Sequence, residues 1–233
     1  MSGERYRPLL PEQRRIFAIS KRFLALDWGK VEAHFRHRVK VSSELLRLLD
    51  DRKVTAFAEL AIGIADSAGN YSAAEHPSLK LHIAENYGWQ RKVYDLANKL
   101  RPLTSADNVP TIISDAKINY LQIGVGSELS CMVNPEVCWV CNVRTIWLHL
   151  AWTQSPGKAE EALALYRMTS SDSQMAYVNW AEVYHPQLRD TLIEGAEEGA
   201  KRAKAVGISP KGSLFLWADA IASYPYGNYH GEQ

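Results

Sequence analysis

Two side chains near the middle of the sequence, Arg144 and His149, form the pair best suited to chemistry. A guanidinium can hold two phosphate oxygens in one fork, and an imidazole exchanges a proton near neutral pH. Asn142 and Thr145 flank the arginine as supporting polar groups. Cys138 and Cys141 have the spacing of a metal or redox motif, with Cys131 close by. A zinc ribbon needs a second pair, and the chain has only three cysteines. His149 lies eight residues beyond Cys141. That is about 12 Å along a helix axis, too far to share an ion whose ligand bonds are about 2 Å. The three thiols are therefore expected in the core, and no metal or cofactor is expected. His82-x-x-Glu85 and Glu182-x-x-His185 each put an imidazole and a carboxylate on one helical face. A di-iron bundle uses Glu-x-x-His twice with two further glutamates. Here one motif is reversed and the other abuts Pro186, so both read as ordinary polar faces.

An arginine and a histidine separated by four residues on an apolar helix resemble the R-x4–6-H motif of HEPN-superfamily ribonucleases. The resemblance covers residues 138–152 and the hairpin partner of that segment. It implies a small all-α protein, often a homodimer, that cleaves RNA without a metal through the adjacent 2′-hydroxyl. Arg144 would bind phosphate and His149 would transfer a proton. Thr145 departs from the Asn, Asp or His common after the family's arginine. On a continuous helix the two side chains also point about 140° apart.

The segment that must position this pair, residues 119–152, is the least charged long stretch of the chain. Asn134-Pro135 carries an N-cap residue followed by a proline suited to the first helical position, with Glu136 placed to favour the helix dipole. The pattern predicts a hairpin: one helix ending near Met132, then a second over residues 135–152 that is buried nearly all round. An arginine inside such a helix needs a carboxylate, such as Glu128 or Asp115, or an anionic ligand. Elsewhere, three- and four-residue apolar spacing predicts helices over residues 11–26, 29–49, 54–68, 77–100 with a bend at Gly88, 188–206 and 211–223. A short helix over 157–169 and a capping box at Ser171 and Gln174 complete the set. Residues 70–77 read as a loop, and the last ten residues as a solvated tail.

With 46% hydrophobic residues over 233 positions, the chain can bury a sizeable core, and helical periodicity makes the fold class all-α. A single domain spanning 1–233 is expected, with a basic part at 1–70, the buried hairpin at 118–153 and C-terminal helices at 156–224. The first 40 residues hold ten Lys/Arg against four acids, and the remainder 17 against 22. That asymmetry suits RNA or an acidic partner on the N-terminal helices. An odd number of cysteines, no leader-like apolar run and no 18-residue apolar stretch point to a cytoplasmic protein without membrane contact. Three functions fit: a metal-independent ribonuclease, a non-enzymatic interaction or regulatory protein, and a small-molecule binder lined by aromatics such as Trp139, Trp147, Trp217, Tyr87 and Tyr120.

Overall fold

Asp27 opens the first helix, its carboxylate accepting from the backbone N–H of Gly29 and Lys30 at 3.0 and 3.1 Å. This helix, α1, runs over Trp28–Asp50. Val31, Phe35, Arg38, Ser42, Leu45 and Leu49 form its buried stripe, an apolar row with an arginine and a serine set into it. The computed structural model describes residues 26–75, 77–154, 157–159, 161, 163 and 179–230. The expected helix over 11–26 and the capping box at Ser171 lie outside these residues.

The chain continues through α2 (Val54–Ala61), a 3-10 turn (Ser67–Gly69), α3 (Tyr71–Ala74), α4 (Pro77–Ala84), α5 (Trp89–Leu100) and α6 (Val109–Asp115). It then forms α7 (Ile123–Val133), α8 (Val143–Thr153), a π-helical stretch (Asn179–Tyr184), α9 (His185–Ala205) and α10 (Leu214–His230). No strand forms among the described residues, so the fold is all-α as the periodicity requires. None of the described helices is long and apolar enough to cross a membrane.

Helix α10 packs against α1, α8 and α9, and α1 packs in turn on α2 and α7. Its residues Phe215 to Ala222 are all buried. Glycine sets the α9–α10 spacing: a Cβ on Gly199 would lie 2.3 Å from Ile221 Cδ1.

Four expectations are corrected. The helix expected over 54–68 ends at Ala61. Residues 70–77, expected as a loop, contain α3, capped by Asn70 through Ala73 N–H at 3.1 Å. The bend expected at Gly88 falls there and is a full break: its φ of 66°, which glycine adopts without strain, separates α4 from α5. Residues 224–230 of the expected solvated tail are instead the last turns of α10, which continues through Pro225.

The second hairpin helix starts later than Asn134-Pro135 suggests. Asn134 directs its side chain outward from that turn, donating to the carbonyls of Leu103 and Leu100 at 2.9 and 3.4 Å. Its own carbonyl accepts from Val137 and Cys138, closing one turn that goes no further. Residues 138–141 then run without helical structure, fully or almost fully buried, to the true start of α8 at Val143.

Candidate functional site

The arginine in the α1 stripe is the centre of a charged cluster. Arg38 is 0% exposed, with Nη1 2.9 Å from Glu128 Oε1 on α7 and donating to the Ala68 carbonyl at 2.6 Å. Its Nη2 lies 3.5 Å from Asp219 Oδ2 on α10. Glu128 is fully engaged: it accepts from Tyr71 N–H at 2.8 Å, Ser72 N–H at 3.0 Å and the Ser72 hydroxyl at 2.7 Å. Asp219 is not. Among the described residues six buried side-chain polar atoms have no hydrogen-bond partner, and five belong to this cluster: His34 Nε2, Arg38 Nε and Nη2, and both oxygens of Asp219. The sixth is His185 Nε2.

Tyr71 lies against three nitrogen-bearing side chains. The His34 imidazole stacks on its ring at 5.0 Å, and the guanidinium carbons of Arg38 and Arg144 lie 5.2 and 5.5 Å from the ring centroid. Arg144 forms an ion pair with Glu75, at the end of α3. The arginine side chain is 10% exposed and the carboxylate 37%, so Glu75 is the outer member. Burial, then the charges of Arg38 and Arg144, bring the His34 pKa down to about 3, which keeps the imidazole neutral at physiological pH. Burial works against the charge on Arg38, but Glu128 and then Asp219 outweigh it, and its pKa rises. Burial raises the Asp219 pKa against the opposing pull of Arg38 and Arg144.

Sequence spacing leads to Arg144 but assigns it other partners. The expected carboxylates were Glu128 and Asp115. Glu128 holds Arg38 instead, and Glu75 holds Arg144. Asn142 and Thr145 act on the backbone: Asn142 Oδ1 accepts from the N–H groups of Arg144 and Thr145 at 3.0 and 3.2 Å, and Thr145 Oγ1 accepts from Asn142 N–H at 3.0 Å. This capping box fixes where α8 starts and so aims Arg144 at Tyr71. Asn142 Nδ2 also donates to Ser72 Oγ at 3.2 Å, tying the cap to the cluster. Asn142→Ala should therefore destabilise the fold by about 1 kcal/mol or slightly more, read as a lower urea midpoint, with Asn142→Asp recovering most of the loss.

His149 engages a different helix. Its Nδ1 lies 2.8 Å from Thr191 Oγ1 on α9, and it borders a polar groove of about 490 Å³ shared with Gln154, Gln187, Asp190 and Glu194. The structure thus turns Arg144 toward α3 and His149 toward α9. The two are five residues apart on α8 and engage different elements, Glu75 after α3 and Thr191 on α9.

The other motifs separate in the same way. All three cysteines are free and buried. Burial pushes the Cys138 thiol up to about 11 and also raises Cys131 and Cys141 well above the usual thiol range, so none is a ready thiolate. His82 meets Glu85 at 3.2 Å on an exposed face. His185 is 1% exposed and stacks on Trp139 at 4.9 Å. No group of three or more His, Cys, Asp or Glu among the described residues could hold a metal. The tryptophans pack into the core, as Trp217 does on Trp28 and Phe35, while Tyr87 is 95% exposed and lines no interior space.

Sequence reasoning passed over Arg38, His34, Tyr71 and Asp219. A scan against protein-family models and searches of curated proteins and solved structures find no match to this chain.

Proposed function

We propose that the chain binds a small oxyanion at the Arg38–Arg144 cluster, the anion taking over Arg144 from Glu75. The observation that carries this reading is the concentration of buried polar atoms without a hydrogen bond on His34, Arg38 and Asp219, where the 3.5 Å Arg38–Asp219 ion pair makes none. Each such atom costs on the order of 1–3 kcal/mol, and a well-packed core avoids them. Five on three adjacent side chains fit a site whose hydrogen bonds are completed by a ligand. The donors are of the right kind, since guanidinium forks match the oxygens of phosphate or carboxylate. Glu75 supplies a carboxylate of the same chemistry from the solvent side.

RNA cleavage by Arg144 and His149, the reading the HEPN resemblance implies, needs one phosphodiester to touch both side chains. Their separate partners on α3 and α9 oppose that. The carboxylates of Asp190 and Glu194 beside His149 would also repel a polyanion. A small anion needs only the Arg144 side of α8, where the charges of Arg38 and Arg144 offset the carboxylates of Glu128 and Asp219.

Thermal unfolding in inorganic phosphate, with chloride adjusted to constant ionic strength, tests the proposal. Phosphate should raise the Tm saturably by ligand linkage, and Arg144→Ala should abolish the response. Glu75→Gln should tighten phosphate binding about fivefold, the equivalent of roughly 1 kcal/mol for a half-exposed ion pair. A Tm unresponsive to phosphate in both wild type and Glu75→Gln would overturn the reading. RNA cleavage lost in a folded His149→Ala variant would replace it with the nuclease.

A further inference from the structure

Resting on that oxyanion reading, we infer that the seat selects an anion that keeps a hydroxyl proton at neutral pH: hydrogen phosphate, in preference to sulfate or a deprotonated phosphate ester. The distinction comes from Asp219. An anion site built only from donors would accept any oxyanion of suitable size and charge. This cluster sets Arg38 Nε and Nη2, neither of which donates a hydrogen bond, beside Asp219 Oδ1 and Oδ2, neither of which accepts one, with Nη2 and Oδ2 held as an ion pair. Arg38 Nη2 and Asp219 Oδ2 are in ion-pair contact at 3.5 Å, so a small ligand would meet both groups from alongside that pair, at Nε and Oδ1. Asp219 is 2% exposed, which leaves bulk water little part in satisfying it.

The second carboxylate of the cluster shows the contrast. Glu128 accepts three hydrogen bonds from α3 in addition to its contact with Arg38, and has no capacity that a ligand must fill. Asp219 faces Arg38 with no hydrogen bond to either oxygen. Unless Asp219, whose pKa burial raises, took up a proton from solvent, a fully deprotonated oxyanion placed against its carboxylate would add acceptor to acceptor. That arrangement carries both the charge repulsion and the penalty of an unpaired buried acceptor. Hydrogen phosphate removes the second penalty, because its remaining P–OH donates to the carboxylate while its other oxygens accept from the guanidinium groups. Sulfate at neutral pH has no proton to offer. A phosphate monoester, whose second pKa is about 6, has lost its proton at pH 8.

The test compares three dianions of similar size on the full chain at pH 8: inorganic phosphate, sulfate and methyl phosphate. Only the first keeps a proton. Isothermal titration calorimetry should give phosphate a Kd at least about tenfold lower than either of the others, the equivalent of about 1.4 kcal/mol. In Asp219→Asn, whose amide can donate, the three affinities should fall within about threefold of one another, or sulfate should lead. The wild-type comparison stands by itself if that variant fails to fold. Equal binding of phosphate and sulfate by wild type would overturn this inference and leave the anion seat standing. Absence of binding by all three would overturn the seat itself.

Discussion

Arg38→Ala is expected to lower the unfolding free energy by about 3–5 kcal/mol, the usual loss when one member of a buried ion pair is removed. The size follows from what stays behind. Glu128 and Asp219, 1% and 2% exposed, would keep their positions with the central cation gone, and the Ala68 carbonyl would lose its donor. Urea denaturation followed by tryptophan fluorescence measures the loss. Arg38→Lys should recover little, because a single ammonium cannot meet Glu128, Asp219 and Ala68 from one stem. Asp219→Ala in the Arg38→Ala background should restore part of the stability by removing one stranded charge, and that non-additivity reports the coupling directly. If Arg38→Ala changed the midpoint by less than the equivalent of about 1 kcal/mol, the cluster would have to be far more hydrated than its burial indicates.

Gly69→Ala should be nearly as damaging. A Cβ built there would lie 1.7 Å from the carbonyl oxygen of Leu60 and 2.8 Å from its carbon, both backbone atoms of α2. Neither can rotate away, so α2 and the 3-10 turn must part. Overpacking of this kind costs about 1–3 kcal/mol, and the backbone contact places Gly69→Ala at or above the top of that range. The same turn carries Ala68, which accepts from Arg38, and leads into Asn70, which caps α3 and donates to the Val125 carbonyl at 2.9 Å. The variant should therefore also weaken any phosphate response in proportion to its loss of stability. Gly124→Ala is the matched control: nothing lies within 4 Å of its added Cβ, and the denaturation midpoint should stay the same or rise slightly.

The helical class and the all-round burial of α8 were legible because they rest on local periodicity. The start of α8 was not. Asn134-Pro135 has good capping chemistry, but tertiary acceptors on Leu100 and Leu103 draw the asparagine amide, and Asn142 with Thr145 does the capping eight residues later. Arg144 stood out in the sequence as a charge in an apolar helix, and it does belong to the cluster. Its partner did not stand out, since Glu75 lies in a segment that reads as loop. Arg38 was hidden by its neighbours. In the run HFRHRVK it reads as one more basic residue on a solvated face. Its register gives it away: it falls seven residues after Val31 and seven before Leu45, in line with the buried stripe. Asp219 carried a plainer signal, as the one charge inside FLWADAIA. What no local pattern could supply is that these two meet.

That meeting joins the first described helix to the last. Arg38 and Glu128 are available to each other once α7 has been made, but Asp219 arrives only with α10, the last described helix. Contacts of such long sequence separation form late and slowly, because the loop between them must close first. Until α10 docks, the α1 stripe lacks the cover of Trp217, which rests on both Trp28 and Phe35. The emerging chain thus holds a half-neutralised arginine beside bare aromatic surface. The closing helix brings the missing carboxylate and the missing apolar lid together, so charge balance and core closure become a single event.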